Sequence, residues 1–220
     1  MDRLVGAVIL FGPPGAGKGT QARGIAGRFG VPHISTGDMI RAQVAAASTM
    51  GRQARAIMAH GGLVPDDWVN GMVEFRLREP DCHRGFVLDG YPRTTGQTEA
   101  LERMLSGNGT GMKVIHIVVD YNEVIRRTTG RRMCPRCGTI YNIYARPPRL
   151  ENVCDNDGNT LAVRLDDRED VIRERIQAYE SETRPVMEYL RERGQPIHEV
   201  DGSRQPEELT AELVRIVEAA

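Results

Sequence analysis

Short apolar segments of strand length alternate along the chain with longer segments of helical periodicity. The apolar run at residues 4–11 is continuous, which is typical of a strand buried on both faces of a parallel sheet. Similar, shorter segments are predicted at 86–88, 114–119 and 197–200. Helices are predicted at 18–29, 37–60, 66–79, 94–106, 121–130, 168–193 and 206–219. The alternation predicts an α/β fold built on a parallel sheet.

Residues 131–165 break this rhythm: the segment carries three of the four cysteines and shows little helical periodicity. The total of 220 residues suits one domain of ordinary size with small insertions. Apolar residues make up 40% and charged residues 27%, and no apolar run approaches the roughly 20 residues that span a bilayer. We therefore expect a protein without a membrane segment and, since no signal peptide is recognisable, a cytoplasmic location.

The 29 basic residues do not outnumber the 30 acidic ones, and they are almost all of one type. A net charge of −1 argues against nucleic acid as a partner, because nucleic-acid-binding domains usually carry a basic excess. Of the 29 basic residues, only Lys18 and Lys113 are lysine, which leaves 27 arginines. A chain that uses lysine so rarely still places one inside a glycine-rich loop, where a compact ammonium group suits a phosphate better than a planar guanidinium.

The loop after the first predicted strand reads GPPGAGKGT, from Gly12 to Thr20. It fits the pattern G-x-x-x-x-G-K and lies between a strand and a helix, the context that defines a phosphate-binding P-loop. Its backbone N–H groups surround a phosphate, the helix N-terminus adds a positive dipole, and Lys18 reaches the β- and γ-phosphates. Gly19 stands where most such loops have Ser or Thr. The usual hydroxyl ligand of Mg²⁺ is therefore displaced to Thr20 or absent.

Three motifs together resemble the adenylate kinase family: GPPGAGKGTQ at 12–21, STGDMIR at 35–41 and DGYPR at 89–93. The likeness continues through GRR at 130–132, RLDD at 164–167 and DGS at 201–203, so that it covers nearly the whole chain. It implies a P-loop three-layer fold with a five-stranded parallel sheet and two mobile insertions. The implied divisions are a core at 1–34, 65–129 and 168–220, an AMP-binding segment at 35–64 and a lid at 130–167.

The resemblance also implies a reaction: a monomer that transfers a phosphoryl group reversibly from ATP to AMP, with Mg²⁺, giving two ADP. This chemistry needs aligned phosphates and neutralised charge more than a general base, because the attacking AMP oxygen is already anionic near neutral pH. Arginine suits both tasks, since its planar fork pairs two oxygens and keeps its charge. The residues that match the family's catalytic group are Lys18, Arg93, Arg131, Arg164 and Arg175.

The nucleotide contacts are likewise taken from the resemblance. Those for ATP fall on Gly15, Ala16, Gly17, Lys18, Gly19, Thr20, Arg127, Ile140, Tyr141 and Arg204. Those for AMP fall on Thr36, Arg41, Gly62, Leu63, Val64, Gly90, Tyr91, Pro92, Arg93, Gln97, Arg164 and Arg175. Asp89, at the end of a strand, matches the acid that holds Mg²⁺ through water. For Arg164 and Arg175, ion pairing with the nearby acids at 166, 167, 169 and 174 is the alternative role.

The cysteine cluster consists of two turns of the same form, Cys134-x-x-Cys137-Gly and Cys154-x-x-Asp157-Gly. Asp157 stands where a fourth cysteine would stand; Asp155 is the competing choice, but its spacing does not mirror the first turn. Some adenylate kinases have this Cys₃Asp arrangement in the lid. Four protein ligands close the coordination sphere, so that we expect a structural Zn²⁺ rather than a catalytic one. A lid of about 35 residues buries too little to hold itself together and commonly needs such a staple.

Two alternatives stay open at this point. A kinase for UMP and CMP would share the P-loop and the DGYPR motif, but the long lid, Thr36 and Gln97 favour AMP, and competition kinetics among AMP, CMP, UMP and GMP decide between them. In the other alternative, the cysteine cluster is a zinc ribbon that binds nucleic acid and the P-loop is incidental. The near-neutral charge disfavours this reading, and salt-dependent binding of RNA or DNA without kinase activity would favour it.

Overall fold

A computed structural model describes residues 5–106 and 110–219 of the chain. Leu4, which begins the first predicted strand, lies outside the described residues, as do the outermost residues of the predicted core. The described strands, in chain order, are β1 (Gly6–Phe11), β2 (His33–Ser35), β3 (Gly85–Asp89), β4 (Met112–Val118), β5 (Arg131–Met133), β6 (Ile140–Asn142) and β7 (Ile197–Asp201). The described α-helices are α1 (Lys18–Phe29), α2 (Thr36–Ala45), α3 (Thr49–Ala59), α4 (Asp66–Leu77), α5 (Thr95–Ser106), α6 (Tyr121–Thr129), α7 (Glu169–Ala178), α8 (Arg184–Glu192) and α9 (Pro206–Glu218).

Five parallel strands form the central sheet in the order β2-β3-β1-β4-β7. This confirms the α/β fold with a five-stranded parallel sheet. Periodicity alone predicts only four of these strands, because β2 has three residues and is too short to show a pattern. In the register of the sheet, Leu10 of β1 and Ser35 of β2 both lie beside Asp89 of β3. The carboxyl ends of three strands therefore meet at one edge, where α/β proteins bind ligands.

The core consists of two apolar layers, one on each face of the sheet. Alternate residues of β1 enter different layers: Ile9 and Phe11 pack on one face, Val8 and Leu10 on the other. Helices α4, α5 and α8 cover the first face, whereas α1 and α9 cover the second. Burial on both faces explains why β1 is apolar without alternation.

Two predicted helices differ from the structure in an instructive way. The prediction of a single helix at 37–60 is wrong, because the segment forms two helices, α2 and α3. Ser48 caps the start of α3 by accepting a hydrogen bond from the Gly51 N–H (2.9 Å), and Ala47 before it has a positive φ of 50°. The long helix predicted at 168–193 contains a π-helical turn at Tyr179–Thr183 between α7 and α8. Pro185, which lacks an N–H group, follows this turn and removes one bond of the α-helical ladder.

The segment without helical periodicity contains the small antiparallel pair β5–β6, with Arg131 opposite Asn142. Neither strand was predicted. A short 3₁₀ turn at Leu165–Asp167 then leads into α7. In the described part of the chain, no helix is long and apolar enough to cross a membrane.

The first prediction concerns the core. Leu213 of α9 is completely buried, so Leu213→Ala removes apolar contacts and leaves a cavity. We expect the free energy of unfolding to fall by about 2–5 kcal/mol. Phe75, which is 71% exposed on α4, provides the control, since Phe75→Ala should change the same quantity by less than about 0.5 kcal/mol. Urea unfolding followed by circular dichroism measures both, and equal effects would contradict the described packing of α9.

Candidate functional site

The P-loop connects β1 to α1 and depends on glycine where the backbone packs most tightly. Gly12 has a φ of 148°, and a Cβ at that position would lie 2.6 Å from the Ile117 carbonyl oxygen. Gly15 has a φ of 78°, and a Cβ there would meet the Val124 carbonyl oxygen at 3.0 Å. Larger residues would strain the turn at both positions. The loop delivers the chain directly into the N-terminus of α1, whose positive dipole end attracts anions.

Lys18 is the first residue of α1, and its ammonium group lies within the P-loop. Nζ donates hydrogen bonds to the carbonyl oxygens of Gly12 (2.6 Å) and Pro13 (2.8 Å). Burial lowers the pKa of Lys18 to about 7; the carboxylate of Asp89 opposes this effect, whereas the guanidinium group of Arg93 reinforces it. The ammonium group is therefore held where its charge is poorly solvated and where an anionic ligand would stabilise it.

Asp89 ends β3 beside this lysine. The Nε2 atom of His33 lies 3.4 Å from Asp89 Oδ2. Burial opposes ionisation of the carboxyl group, but the His33 contact and the charge of Lys18 outweigh it, so that the pKa of Asp89 is lowered. A Cβ at Gly19 would lie only 3.0 Å from Asp89 Oδ2. The P-loop position that commonly carries a hydroxyl is thus in close contact with an ionised carboxylate, the kind of group that binds Mg²⁺.

Arginines from three other parts of the chain surround Lys18. Arg93 follows β3, Arg131 begins β5 and Arg175 lies on α7. Burial, reinforced by the positive charge of Arg175, lowers the pKa of Arg93 to about 10. Burial and the charge of Arg131 likewise lower the pKa of Arg175. These cations are close enough to repel one another, which is the arrangement expected around several phosphates.

Two adjacent carboxylates offset part of this charge. Arg175 Nη1 lies 3.0 Å from Asp166 Oδ2 and also donates a hydrogen bond to the Asp166 carbonyl oxygen (2.9 Å). Arg131 Nε lies 3.5 Å from Asp167 Oδ2, a side chain that is shielded completely from solvent. Burial, together with the charges of Arg41 and Arg131, lowers the pKa of Arg164 to about 10. The ion pairing that was the alternative role for Arg175 is therefore present. It holds Arg175 beside Lys18 and Arg93.

A solvent-open cleft of about 570 Å³ lies next to these arginines. Most residues predicted for the AMP site line it: Thr36, Arg41, Gly62, Leu63, Val64, Gly90, Arg93, Gln97 and Arg175. Of the other three, Pro92 lines a neighbouring cleft, and Arg164 Nε lies 3.4 Å from Met133 Sδ of β5. Tyr91 is 1% exposed beneath the cleft, where its single hydroxyl hydrogen has two acceptors within reach, Asn70 Oδ1 (2.8 Å) and the Gln97 carbonyl oxygen (3.1 Å).

The neighbouring cleft, of about 490 Å³, reaches the P-loop. Gly12, Pro14 and Lys18 line it on one side. It shares several lining residues with the first cleft, namely Gly61, Leu63, Gly90, Arg93 and Arg175. Arg93 and Arg175 consequently lie on the boundary between a phosphate-binding loop and a second pocket. This is where a phosphoryl group would pass from one ligand to another.

The other residues predicted for the ATP site, outside the P-loop, lie in three different parts of the fold. Arg127 of α6 donates a hydrogen bond to the Gly202 carbonyl oxygen (2.9 Å) in the loop after β7. Arg204, in the same loop, is exposed and pairs with Glu212 of α9 at 2.7 Å. Ile140 and Tyr141 lie on β6, and Tyr141 is buried among the cysteines rather than beside Arg127. The structure thus brings Arg127 to the loop after β7 and directs Tyr141 elsewhere.

The cysteine cluster is compact. The sulfur atoms of Cys134, Cys137 and Cys154 and a carboxylate oxygen of Asp157 all lie within 4.8 Å of one another. Cys137 Sγ is 3.5 Å from Cys154 Sγ, and Cys134 Sγ is 3.4 Å from both carboxylate oxygens of Asp157. A tetrahedral ion with bonds of about 2.3 Å to sulfur and about 2.0 Å to oxygen separates its ligands by about 3.5–3.8 Å. The four side chains therefore fit such an ion, whereas Cys82 lies in a distant turn beside β3.

The two turns of the cluster form the same hydrogen bonds. The Cys134 N–H donates to the Thr139 carbonyl and the Gly138 N–H to the Cys134 carbonyl, at 2.9 and 3.0 Å. The corresponding bonds of the second turn, from Cys154 to Asn159 and from Gly158 to Cys154, measure 2.8 and 2.9 Å. This repetition supports Asp157, rather than Asp155, as the counterpart of Cys137. Asp155 instead accepts a hydrogen bond from the Arg149 N–H (2.9 Å).

Sequence reasoning missed Asp66, which contacts Gln97 of the predicted site. Asp66, in the first turn of α4, accepts hydrogen bonds from Gln97 Nε2 (2.7 Å) and from the Thr94 hydroxyl (2.6 Å). Asp66 and Gln97 are 31 positions apart, so no local pattern connects them. The only sequence signal at Asp66 is that of an acid near a helix start, which is common and unspecific.

The fold and these clefts define a P-loop phosphotransferase with an arginine-rich second pocket. Comparison with known proteins is more specific: the family model described as adenylate kinase matches residues 10–195. Proteins named adenylate kinase from Archaeoglobus fulgidus and Thermosipho melanesiensis are 45% and 44% identical over 212 and 211 residues. These alignments cover 96% of this chain and 97% and 98% of the relatives. The chain belongs to the adenylate kinase family, whose members are nucleoside monophosphate kinases.

The second prediction follows from the buried ammonium group. The pKa of Lys18 is about 7 in the folded chain and near its ordinary value of 10.5 in the unfolded chain. Between these values the unfolded state binds more protons, so the contribution of Lys18 to the free energy of unfolding rises with pH. We expect Lys18→Met to be stabilised relative to the wild type near pH 6, and this difference to shrink toward pH 10. Urea unfolding of both proteins across this range measures it, and a constant difference would contradict the lowered pKa.

Proposed function

We propose that this chain catalyses the reversible transfer of a phosphoryl group from ATP to AMP, with Mg²⁺, to give two ADP. The observation that carries the proposal is the boundary shared by two clefts. One cleft contains the P-loop and Lys18, the other contains Thr36 and Gln97, and the arginines Arg93 and Arg175 line both. A nucleoside monophosphate in the second cleft would present its phosphate to the terminal phosphate of a nucleotide held by the P-loop.

Alignment and charge neutralisation are the proposed basis of catalysis. Lys18, Arg93, Arg131, Arg164 and Arg175 supply the positive charge on the transferred group, and Arg41 binds the AMP phosphate. Burial lowers the pKa of Lys18 to about 7 and that of Arg93 to about 10, so these two cations lie in a poorly solvated region where a charge acts strongly on a bound phosphate. No general base is needed, because the acceptor phosphate is already ionised near neutral pH.

Mg²⁺ is proposed to bind near Asp89, whose carboxylate is ionised and adjacent to the P-loop. When bound, Mg²⁺ would neutralise charge on the phosphates and help to align them. The side chain of Asp89 is held from the other side by His33. Since Gly19 offers no hydroxyl and lies against the carboxylate, Asp89 would hold the ion through water rather than together with a P-loop side chain.

We also propose that the division into core, AMP-binding segment (35–64) and lid (130–167) governs a closing movement. Arg131 and Arg164 both belong to the lid segment, so a closing movement of the lid would carry both arginines with it toward the phosphates. Asp167, which pairs with Arg131, and Asp166, which pairs with Arg175, would act as a latch at the hinge. Closure would exclude water, which otherwise competes as the phosphoryl acceptor. A monomer is proposed because the resemblance to the family implies one.

AMP is the proposed acceptor rather than UMP or CMP. Thr36 and Gln97 line the second cleft, and the Thr36 hydroxyl donates a hydrogen bond to the Gly90 carbonyl oxygen (2.8 Å). The Gln97 amide can read the edge of adenine by hydrogen bonds. Competition among AMP, CMP, UMP and GMP tests this choice, and a preference for any nucleotide other than AMP would overturn it.

A structural Zn²⁺ is proposed for the cysteine cluster, where Cys134, Cys137, Cys154 and Asp157 would hold it. The ion would supply a rigid tetrahedral link between the two turns. The Tyr141 hydroxyl lies 3.6 Å from Cys154 Sγ and accepts a hydrogen bond from the Asp155 N–H (2.8 Å), so the surroundings of the cluster are also ordered. The site is distant in sequence from the P-loop and takes no part in the proposed chemistry.

The third prediction tests the reaction itself. A coupled assay should detect ADP when both ATP and AMP are supplied. Lys18→Met should lower kcat by about 10²–10³-fold, because one donor to the transferred phosphate is lost. Lys113→Met is the matched control: Lys113 is the other lysine of the chain, and it bonds the Val217 carbonyl at the opposite end of the sheet. Near-normal turnover in Lys18→Met would refute the site.

The fourth prediction concerns the metal. Elemental analysis of the purified chain should find about one zinc ion per molecule. Cys134→Ser should lose the ion and lower the thermal midpoint of unfolding, because the two turns are no longer linked. Cys82→Ser, at the buried cysteine outside the cluster, should keep the zinc content unchanged. Absence of any metal from the wild type, with an unchanged melting profile in Cys134→Ser, would overturn the assignment.

A further inference from the structure

The carboxamide of Gln97 is held from two sides. Gln97 is 2% exposed on α5, and its side chain lines the cleft proposed for AMP. Its Oε1 atom accepts a hydrogen bond from the Arg93 N–H (2.8 Å), and its Nε2 atom donates one to Asp66 Oδ1 (2.7 Å). The two ends of the amide are therefore engaged by different elements of the fold, the loop after β3 and the first turn of α4.

These partners leave no choice about which end of the amide is which. A backbone N–H can only donate, so the atom facing Arg93 must be the oxygen. A carboxylate oxygen accepts, so the atom facing Asp66 must be the nitrogen. The reversed amide would place two donors together at Arg93 and two acceptors together at Asp66.

Asp66 is itself held in place. Its Oδ2 atom accepts a hydrogen bond from the Thr94 hydroxyl (2.6 Å), and the Thr94 oxygen accepts one from the Gln97 N–H (3.1 Å). Asp66 is half-buried and does not line the cleft. It therefore acts on any ligand only through Gln97.

A carboxamide has two donor hydrogens and two acceptor lone pairs. The chain uses one of each, which leaves Gln97 one N–H and one lone pair, in a fixed order, for a base in the cleft. A 6-aminopurine offers the complementary order, an amino donor at position 6 and an acceptor at N1. A 6-oxopurine offers the opposite order, an acceptor at position 6 and a donor at N1.

We infer that Asp66 is a specificity-determining positioning residue: by fixing the amide orientation of Gln97, it makes the cleft accept a 6-aminopurine nucleotide and reject a 6-oxopurine nucleotide. The inference rests on the proposed function, since it assumes that a purine monophosphate occupies this cleft. Asp66 touches neither nucleotide, and its effect is on the choice of base rather than on the transfer step.

The test compares AMP with inosine monophosphate, which differs from AMP only at these two positions of the base. The quantity measured is the ratio of kcat/KM for the two acceptors, with ATP as the donor. Asp66→Asn offers both a donor and an acceptor and no longer fixes Gln97, so the ratio should fall by about tenfold. Asp67→Asn is the matched control, because Asp67 is an exposed acid in the same turn of α4, and it should leave the ratio unchanged.

A double-mutant cycle shows whether Asp66 acts through Gln97. In a Gln97→Ala background, Asp66→Asn should change the ratio no further, whereas a general loss of stability would lower activity with both acceptors and leave the ratio alone. If Asp66→Asn does not fold, Thr94→Val removes a bond to the carboxylate and should lower the ratio in the same direction, with Thr94→Ser as its control.

The outcomes separate the two proposals. If the wild type forms ADP from AMP and prefers it to inosine monophosphate, but Asp66→Asn keeps that preference, the role of Asp66 is overturned and the proposed function stands. If the wild type phosphorylates no AMP, both are overturned.

Discussion

Lys18, Arg93 and Arg175 bring three positive charges together where solvent reaches them poorly. Burial lowers the pKa of Lys18 to about 7 and that of Arg93 to about 10, because the charged forms are poorly solvated in the folded chain. Most of the chain around the site can be understood as a response to this repulsion. A bound nucleotide would relieve it with several negative charges at once, so a site that is electrostatically unfavourable alone becomes favourable with its ligand.

Without a nucleotide, acidic and carbonyl groups limit the repulsion among these cations. Asp89 lies beside Lys18, Asp166 pairs with Arg175 at 3.0 Å, and Asp167 lies 3.5 Å from Arg131. The parallel sheet makes this possible, because the carboxyl ends of β1, β2 and β3 meet at one edge. Asp166 and Asp167 lie in the 3₁₀ turn before α7, at the end of the proposed lid segment. A movement of that segment would therefore change the electrostatic balance of the site.

Around the cysteine cluster, the limiting factor is the small amount of apolar surface that can be buried. Its apolar core is small, comprising Cys134, Tyr141, Cys154 and Leu161, and is separate from the two layers around the sheet. Burial on that scale contributes little stability, so the two hydrogen-bonded turns and a metal ion would carry the structure.

Features that depend on neighbours in sequence were predictable. The P-loop, the α1 helix at residues 18–29 and the paired Cys-x-x-Cys and Cys-x-x-Asp turns are formed by residues within about ten positions of one another, so their spacing already specifies the backbone. Strand β2 and the break at Ser48 were not, because three residues show no period and one cap is a weak signal. The sequence by itself determined the α/β class, the phosphate loop and the candidate metal ligands. Only the tertiary structure decided that Asp66 holds Gln97 and that Arg93 and Arg175 join two clefts, because these contacts link segments far apart in the chain and arise only when the sheet brings the segments together.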